Sequence, residues 1–250
     1  MPDDAVLDTL KFGIGQPVLR SEDPKLLTGR GEYSDDYNAA GQAYAVFLRS
    51  PVAHGNIRGI DTDAAKSAPG VIAVHTGEDL RADGIKDIPC PIGVKSRDGS
   101  SAVVPPQWGD DAAVEKAFAE AAHVSTVELT NTKIVVNAME PRATVAEYDA
   151  ATEKYTLHVG TQGVAGYRSG TANMLGTTPD KVRIVSKEVG GSFGMKGSAF
   201  NEAIVVMHAA KKLGRAVKWT ADRSESFLSD HHGRAMTFDL KLALNKDGDF

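Results

Sequence analysis

Between residues 182 and 214 the chain reads as a short strand, a glycine-rich bend and a long buried helix, and this succession limits the fold more than any other stretch. Val182–Val185 is a brief run rich in β-branched residues. Ser186-Lys187-Glu188 leads it into Val189-Gly190-Gly191-Ser192-Phe193-Gly194-Met195-Lys196. Asn201–Leu213 then carries the apolar run Ile204-Val205-Val206-Met207, followed by His208, Ala209 and Ala210. Lys211 and Lys212 lie near its carboxyl end, where cations suit the helix dipole, and Gly214 stops it. With three glycines and a serine around one aromatic, the bend has little side-chain bulk, so its backbone amides can approach a bulky ligand closely.

The rest of the chain continues the alternation of strands and helices, which predicts an α+β fold. Residues 43–47 and 71–75, rich in Ala, Val and Ile, read as buried strands. Asp110 or Asp111 caps a helix over about residues 112–122, with Val114, Ala117, Phe118 and Ala121 on one face. Residues 124–129, 143–148 and 155–159 read as strands, the last two joined as a hairpin. A helix over 166–175 ends at Gly176, with Pro179 just beyond. Met236–Leu244 alternates apolar and polar residues as a half-buried strand does, and Asn245-Lys246-Asp247-Gly248 is a hairpin turn.

Composition narrows the class of protein. With 250 residues, 42% hydrophobic, 24% charged and a net charge of −5, the chain fits one large globular domain or two small ones. No basic patch suits nucleic acid, and no apolar run approaches the roughly 20 residues that cross a bilayer. The acidic start, Met1-Pro2-Asp3-Asp4-Ala5, is unlike a secretion signal and predicts a cytoplasmic protein. Iron-sulfur clusters take about four cysteine thiolates, whereas this chain has only Cys90, set between Pro89 and Pro91. The seven histidines form no pair at metal-ligand spacing on a predicted helix, and His54 reads as a turn residue. Gly13-Ile14-Gly15 fails the dinucleotide fingerprint.

Several polar residues have two readings at this level. Glu140, with Arg142 nearby, suggests an ion pair or loop anchor rather than a general base. Asp222, Arg223 and Glu225 read as a structural charge network. Phe193 fits either a core aromatic or a ligand contact, and Lys196 either a site residue or a solvated charge.

Thr161-Gln162-Gly163 precedes the bend, with Gln162 and Phe193 31 positions apart, and a neutral amide there can donate a hydrogen bond without bringing charge. In these residues the chain resembles the molybdenum-binding subunit of the xanthine dehydrogenase, aldehyde oxidase and carbon monoxide dehydrogenase family. That subunit carries a glutamine and a Gly-Gly-(Gly/Ser)-Phe-Gly-x-Lys loop in this order and at similar spacing. Other landmarks fall in family order: the opening from Gly15 to Asp36, Arg49-Ser50-Pro51-Val52-Ala53-His54-Gly55, Met139-Glu140-Pro141-Arg142, and Trp219-Thr220-Ala221-Asp222-Arg223-Ser224-Glu225.

The resemblance implies a partial α/β hammerhead domain over residues 1–107 and the first part of a molybdopterin-binding domain over 108–250. It implies a molybdenum-molybdopterin cofactor, in the cytosine dinucleotide form, contacted by Gln162, Gly190, Gly191, Ser192, Phe193 and Gly194. Gln162 would hydrogen-bond an oxygen ligand of the metal, the backbone at Phe193 and Gly194 would face it, and Gly190, Gly191 and Ser192 would admit the dithiolene and pterin. Iron-sulfur clusters and FAD would sit on separate subunits of a hetero-oligomer. The activity implied is hydroxylation of an aldehyde or N-heterocycle with water as oxygen source, or oxidation of carbon monoxide. The base, a glutamate near the carboxyl end of family members, has no counterpart here, so no catalytic residue is assigned. Gly197 stands where purine-oxidising members carry an acidic residue, which argues against xanthine.

Two departures from the family are expected as well. A turn followed only by Asp249 and Phe250 predicts a truncated chain, and the junction of Gln107 with Trp108 predicts an internal deletion that leaves the small domain's core poorly covered. The alternative is a non-catalytic remnant, or a module that docks to redox subunits without bound cofactor.

Overall fold

The computed structural model describes residues 19–53, 55–88 and 109–250. The expectations resting on Gly13 to Gly15, His54, Cys90 and the Gln107-Trp108 junction lie outside these residues. In chain order the elements are α1 (Asp23–Leu27), β1 (Ala43–Tyr44), α2 (Asp63–Ser67), α3 (Gly77–Ala82), α4 (Asp111–Glu120), β2 (His123–Asn131), β3 (Ile134–Val135), β4 (Ala143–Asp149) and β5 (Lys154–Val159). They continue with α5 (Val164–Met174), β6 (Val182–Val185), α6 (Asn201–Leu213), β7 (Val217–Thr220), α7 (Arg223–Ser229), β8 (His232–Gly233) and β9 (Met236–Leu244).

Five strands form one mixed sheet in the order β1-β7-β4-β5-β6. β4 and β5 are the expected antiparallel hairpin, with Thr144 opposite Val159 and Asp149 opposite Lys154. Asp149 closes the turn by accepting from the Ala151 amide (2.9 Å) and the Thr152 hydroxyl (2.7 Å). β5 then pairs with β6 in parallel, Tyr155 beside Val182 and His158 beside Val185. A parallel neighbour needs a crossover connection, and α5 supplies it. Tyr155, Leu157 and Val159 point into the core while Lys154, Thr156 and His158 are more exposed, the period-two pattern of a strand covered on one side.

α6 lies on this sheet and buries Glu202, Ala203, Ile204 and every residue from Val206 to Ala210. Ile204, Val206, Met207 and Ala210 join Ala146, Leu157, Val217 and Trp219 in the main core. Gly214 ends the helix at φ +61°, a left-handed conformation that glycine adopts without steric cost. α4 is capped by Asp110, whose carboxylate accepts from the amides of Ala112 (3.0 Å) and Ala113 (3.2 Å). It buries none of its residues.

Three strand expectations need correction. Only Ala43 and Tyr44 of the 43–47 run are strand, paired in parallel with Val217 and Lys218 at the sheet edge. Ala43, Ala45 and Phe47 pack on the core, but Tyr44 and Val46 are exposed because no described element covers that face. Residues 71–75 form no strand, as no described strand pairs with them, and Val71 and Ile72 stay exposed. β9 spans Met236–Leu244 as expected, and β2 pairs with it along nine residues as a two-stranded ribbon. It is not half-buried: Met236, Phe238, Leu240 and Leu242 remain exposed, because no described element packs on the ribbon.

Candidate functional site

Because β5 and β6 run parallel and side by side, their carboxyl ends emerge together, and the loops leaving them meet. Such loop pairs at strand carboxyl ends are where open α/β sheets bind ligands. Gly160 and Thr161 continue β5 to Gln162, and residues 186–198 continue β6 through the glycine bend. The 31 positions between Gln162 and Phe193 are thereby closed by one crossover. The Gln162 amide donates to the Lys196 carbonyl (3.1 Å), which also accepts from the Thr161 hydroxyl (3.0 Å). The Ser192 hydroxyl donates to Gln162 Oε1 at 2.7 Å and accepts from the Lys196 amide at 2.8 Å. Gln162 itself is exposed, so its Nε2 faces outward with no partner among the described residues.

The bend has an unusual backbone. Gly191 (φ +100°), Phe193 (φ +50°) and Gly194 (φ +91°) all lie in left-handed territory. For Phe193 that costs about 1–2 kcal/mol, strain of the kind that concentrates at functional sites. Phe193 is 80% exposed at the tip of the bend, so the core-aromatic reading is overturned. Its neighbour Met195 is the apolar anchor, buried with Ala138 and Phe200.

Glu140 holds the base of the bend. Its amide donates to the Gly190 carbonyl (3.0 Å), and its Oε2 accepts from the Gly190 amide (2.7 Å). Lys196 Nζ donates to the same oxygen (2.7 Å) and to the Glu140 carbonyl (3.0 Å). Glu140 is thus a loop anchor, but its cationic partner is Lys196 and not Arg142. Lys196 is only 2% exposed, which overturns its reading as a solvated charge. A Cβ at Gly190 would stand 2.5 Å from Glu140 Cβ, so the backbone contact requires glycine there.

Arg142 belongs to a second buried network. Its guanidinium donates to Asp230 Oδ1 (2.6 Å), Glu202 Oε2 (2.7 Å) and the Ser229 hydroxyl (2.8 Å), and lies over the Phe200 ring at 3.8 Å. Burial pulls the Arg142 pKa down, but the bonds and charges of Glu202 and Asp230 more than offset this and leave it raised. Arg49 reaches Glu202 and Glu225 from the amino-terminal part of the chain. Asp222 caps α7 by accepting from the Glu225 amide (2.7 Å), and Arg223 donates to the Ala138 carbonyl (2.7 Å). Asp222, Arg223 and Glu225 are therefore structural, as their spacing suggests. Sequence reading missed Glu202; the signal was a carboxylate inside a helix otherwise buried, which needs a cation.

Among the described residues no cluster of His, Cys, Asp and Glu could hold a metal ion, so a metal here would have to arrive carried by its own ligand. The donor set fits such a group: an outward amide, and a small-residue bend with open space around Gly194 at its tip.

Residues 97–250 match the family profile described as "Molybdopterin cofactor-binding domain", and residues 28–97 match "Aldehyde oxidase and xanthine dehydrogenase, a/b hammerhead domain". The chain is 32% identical over 94% of its length to the 6-hydroxypseudooxynicotine dehydrogenase complex subunit gamma of Paenarthrobacter nicotinovorans, covering 38% of that protein. It is 29% identical over 94% of its length to the nicotine 6-hydroxylase large subunit of the same organism, covering 36% of it. The crystal structure of quinoline 2-oxidoreductase from Pseudomonas putida 86 superposes with a TM-score of 0.75 at 26% identity, over 94% of this chain and 38% of that one. A copper- and molybdenum-containing carbon monoxide dehydrogenase superposes with a TM-score of 0.80 at 24% identity, over 93% of this chain and 38% of that one. The chain thus spans a little over a third of the length of these relatives.

Proposed function

The chain belongs to the molybdopterin cofactor-binding family of xanthine dehydrogenases, aldehyde oxidoreductases and carbon monoxide dehydrogenase large chains, and from that premise we propose that it forms part of the cofactor cradle of an oxidoreductase. That enzyme hydroxylates an aldehyde or N-heterocycle with oxygen from water, or oxidises carbon monoxide, and passes electrons to iron-sulfur and FAD centres on partner subunits of a hetero-oligomer. The observation that carries the reading is the meeting of Gln162 with the Gly190 to Gly194 bend, joined by the Ser192 hydrogen bond. Gln162 Nε2 would donate a hydrogen bond to an oxygen of the cofactor. The backbone of Gly191, Ser192, Phe193 and Gly194 would admit the dithiolene and pterin, in the cytosine dinucleotide form, while Gly190, whose amide and carbonyl are both bonded to Glu140, would anchor that stretch. When bound, the cofactor supplies the redox centre; the chain supplies orientation and hydrogen bonds.

The division into residues 1–107 and 108–250 is part of this proposal. The alignment to nicotine 6-hydroxylase runs over 300 positions while drawing on 94% of this 250-residue chain. That supports extra residues in the relatives within the matched region, for which the Gln107-Trp108 junction is our candidate. Among the described residues no helix is long and apolar enough to cross a membrane, and a cytoplasmic location is part of the proposal. A Cβ at Gly197 would lie 3.8 Å from Gln162 Oε1, so an acidic side chain there would flank the amide. Glycine in its place favours aldehydes and other N-heterocycles over xanthine.

The test is metal and pterin content of the chain purified with the complementary part of the large subunit and both redox subunits. Molybdenum near one equivalent is the expected result; none in any assembly overturns the reading. In that complex, Gln162→Ala should retain metal but lower kcat by about 10²–10³, the usual effect of removing one donor from a developing charge. Unchanged kcat would remove Gln162 from the site.

A further inference from the structure

We infer that Ser192 is a positioning residue: its hydroxyl fixes the Gln162 side chain with the amide oxygen turned inward and the NH₂ outward, so that the site presents a donor and no acceptor. This rests on the cofactor reading above and adds to it the residue that sets hydrogen-bond polarity. Ser192 is 8% exposed, and its hydroxyl has one proton and two lone pairs. One lone pair takes the Lys196 amide at 2.8 Å, and the proton goes to Gln162 Oε1 at 2.7 Å. If the carboxamide flipped, Nε2 would face the hydroxyl, and the serine proton would lose its only acceptor among the described residues. An unsatisfied buried donor disfavours that state by about ten- to a hundredfold in population.

Nothing else described holds the Gln162 side chain, whereas its backbone is fixed through the Lys196 carbonyl. Lys196 is fixed in turn by Glu140, through two hydrogen bonds from Nζ. Ser192 therefore ties the Gln162 side chain to the same bend that already holds the Gln162 backbone. Glycine at this position would keep the bend and release the amide. The consequence is selectivity: a ligand atom opposite Gln162 has to be an acceptor, as a metal-bound oxygen is.

The test compares wild type, Ser192→Ala and Ser192→Thr in the assembled complex. High-resolution crystal structures should show one Gln162 rotamer in wild type and Ser192→Thr, and several in Ser192→Ala. The electron paramagnetic resonance spectrum of the partly reduced complex should change in Ser192→Ala, with kcat lowered about tenfold while metal content holds, and the threonine variant should restore both. An ordered Gln162 with unchanged orientation in Ser192→Ala overturns the inference, as does an unchanged spectrum with full metal. Wild type without metal would instead sink the cofactor reading, and the Gln162 rotamers would still decide the role of Ser192.

Discussion

Arg142→Met should cost about 3–5 kcal/mol of folding stability, since it removes the cation shared by two buried carboxylates. The side chains of Arg142, Glu202 and Asp230 are 7%, 3% and 2% exposed, so water cannot replace the guanidinium. At roughly 2–4 °C per kcal/mol for a chain of this size, the melting temperature should fall by about 10 °C. Glu202→Gln alone should cost less, because Asp230 keeps its partner, and combining it with Arg142→Met should give less than the sum of the two. The pH dependence has a definite sign. Burial pushes the Glu202 carboxyl up, but the hydrogen bonds and charge of Arg142 outweigh this and leave it below its ordinary 4.5. A depressed folded-state value means that the stabilisation is fully present above pH 4.5 and is lost as pH falls through the lower value. Urea unfolding followed by circular dichroism between pH 7 and pH 3 should show that loss in wild type and a much flatter profile in Arg142→Met. Equal slopes would mean that the pair contributes nothing to acid sensitivity.

The second large effect falls on the cofactor rather than the fold. Gly190→Ala drives a methyl to 2.5 Å from Glu140 Cβ, and Glu140 has to move. Its Oε2 then loses the Gly190 amide and the Lys196 ammonium together, and the bend loses its base. Overpacking and lost buried hydrogen bonds each cost about 1–3 kcal/mol. If about 3 kcal/mol of that is charged to holding the cofactor, affinity drops about a hundredfold, since each 1.4 kcal/mol is tenfold. Gly194→Ala is the control. Position 194 has open space around a Cβ but a φ of +91°, so it carries backbone strain without collision. Molybdenum content in the assembled complex should collapse for Gly190→Ala and fall only modestly for Gly194→Ala. The reverse order would show that conformational freedom at the tip, and not the Glu140 anchor, governs the site.

Much of this was legible in the sequence because it is governed locally. The boundaries of the strand Val182–Val185 and the helix Asn201–Leu213 follow from β-branched and apolar runs and from Gly214. A cap at Asp110 or Asp111, of which the structure uses Asp110, and the 143–159 hairpin follow from the same kind of signal. The resemblance in order and spacing singled out Gln162 and the Gly190 to Gly194 bend as a candidate site, and the fold brings the two together through Ser192.

Only the tertiary structure decided which distant groups meet. Glu140 pairs with Lys196, 56 residues away, rather than with Arg142 two residues on; Arg142 instead finds Glu202 and Asp230. Residues 71–75 have the composition of a strand but no described strand to pair with, and Phe193 sits outside because its bend is fixed by Met195 and Lys196 behind it. Periodicity and capping are written in each segment's own chemistry. Ion-pair partners, strand neighbours and exposure depend on how separate segments pack, as the parallel crossover between β5 and β6 does in bringing Gln162 to the bend.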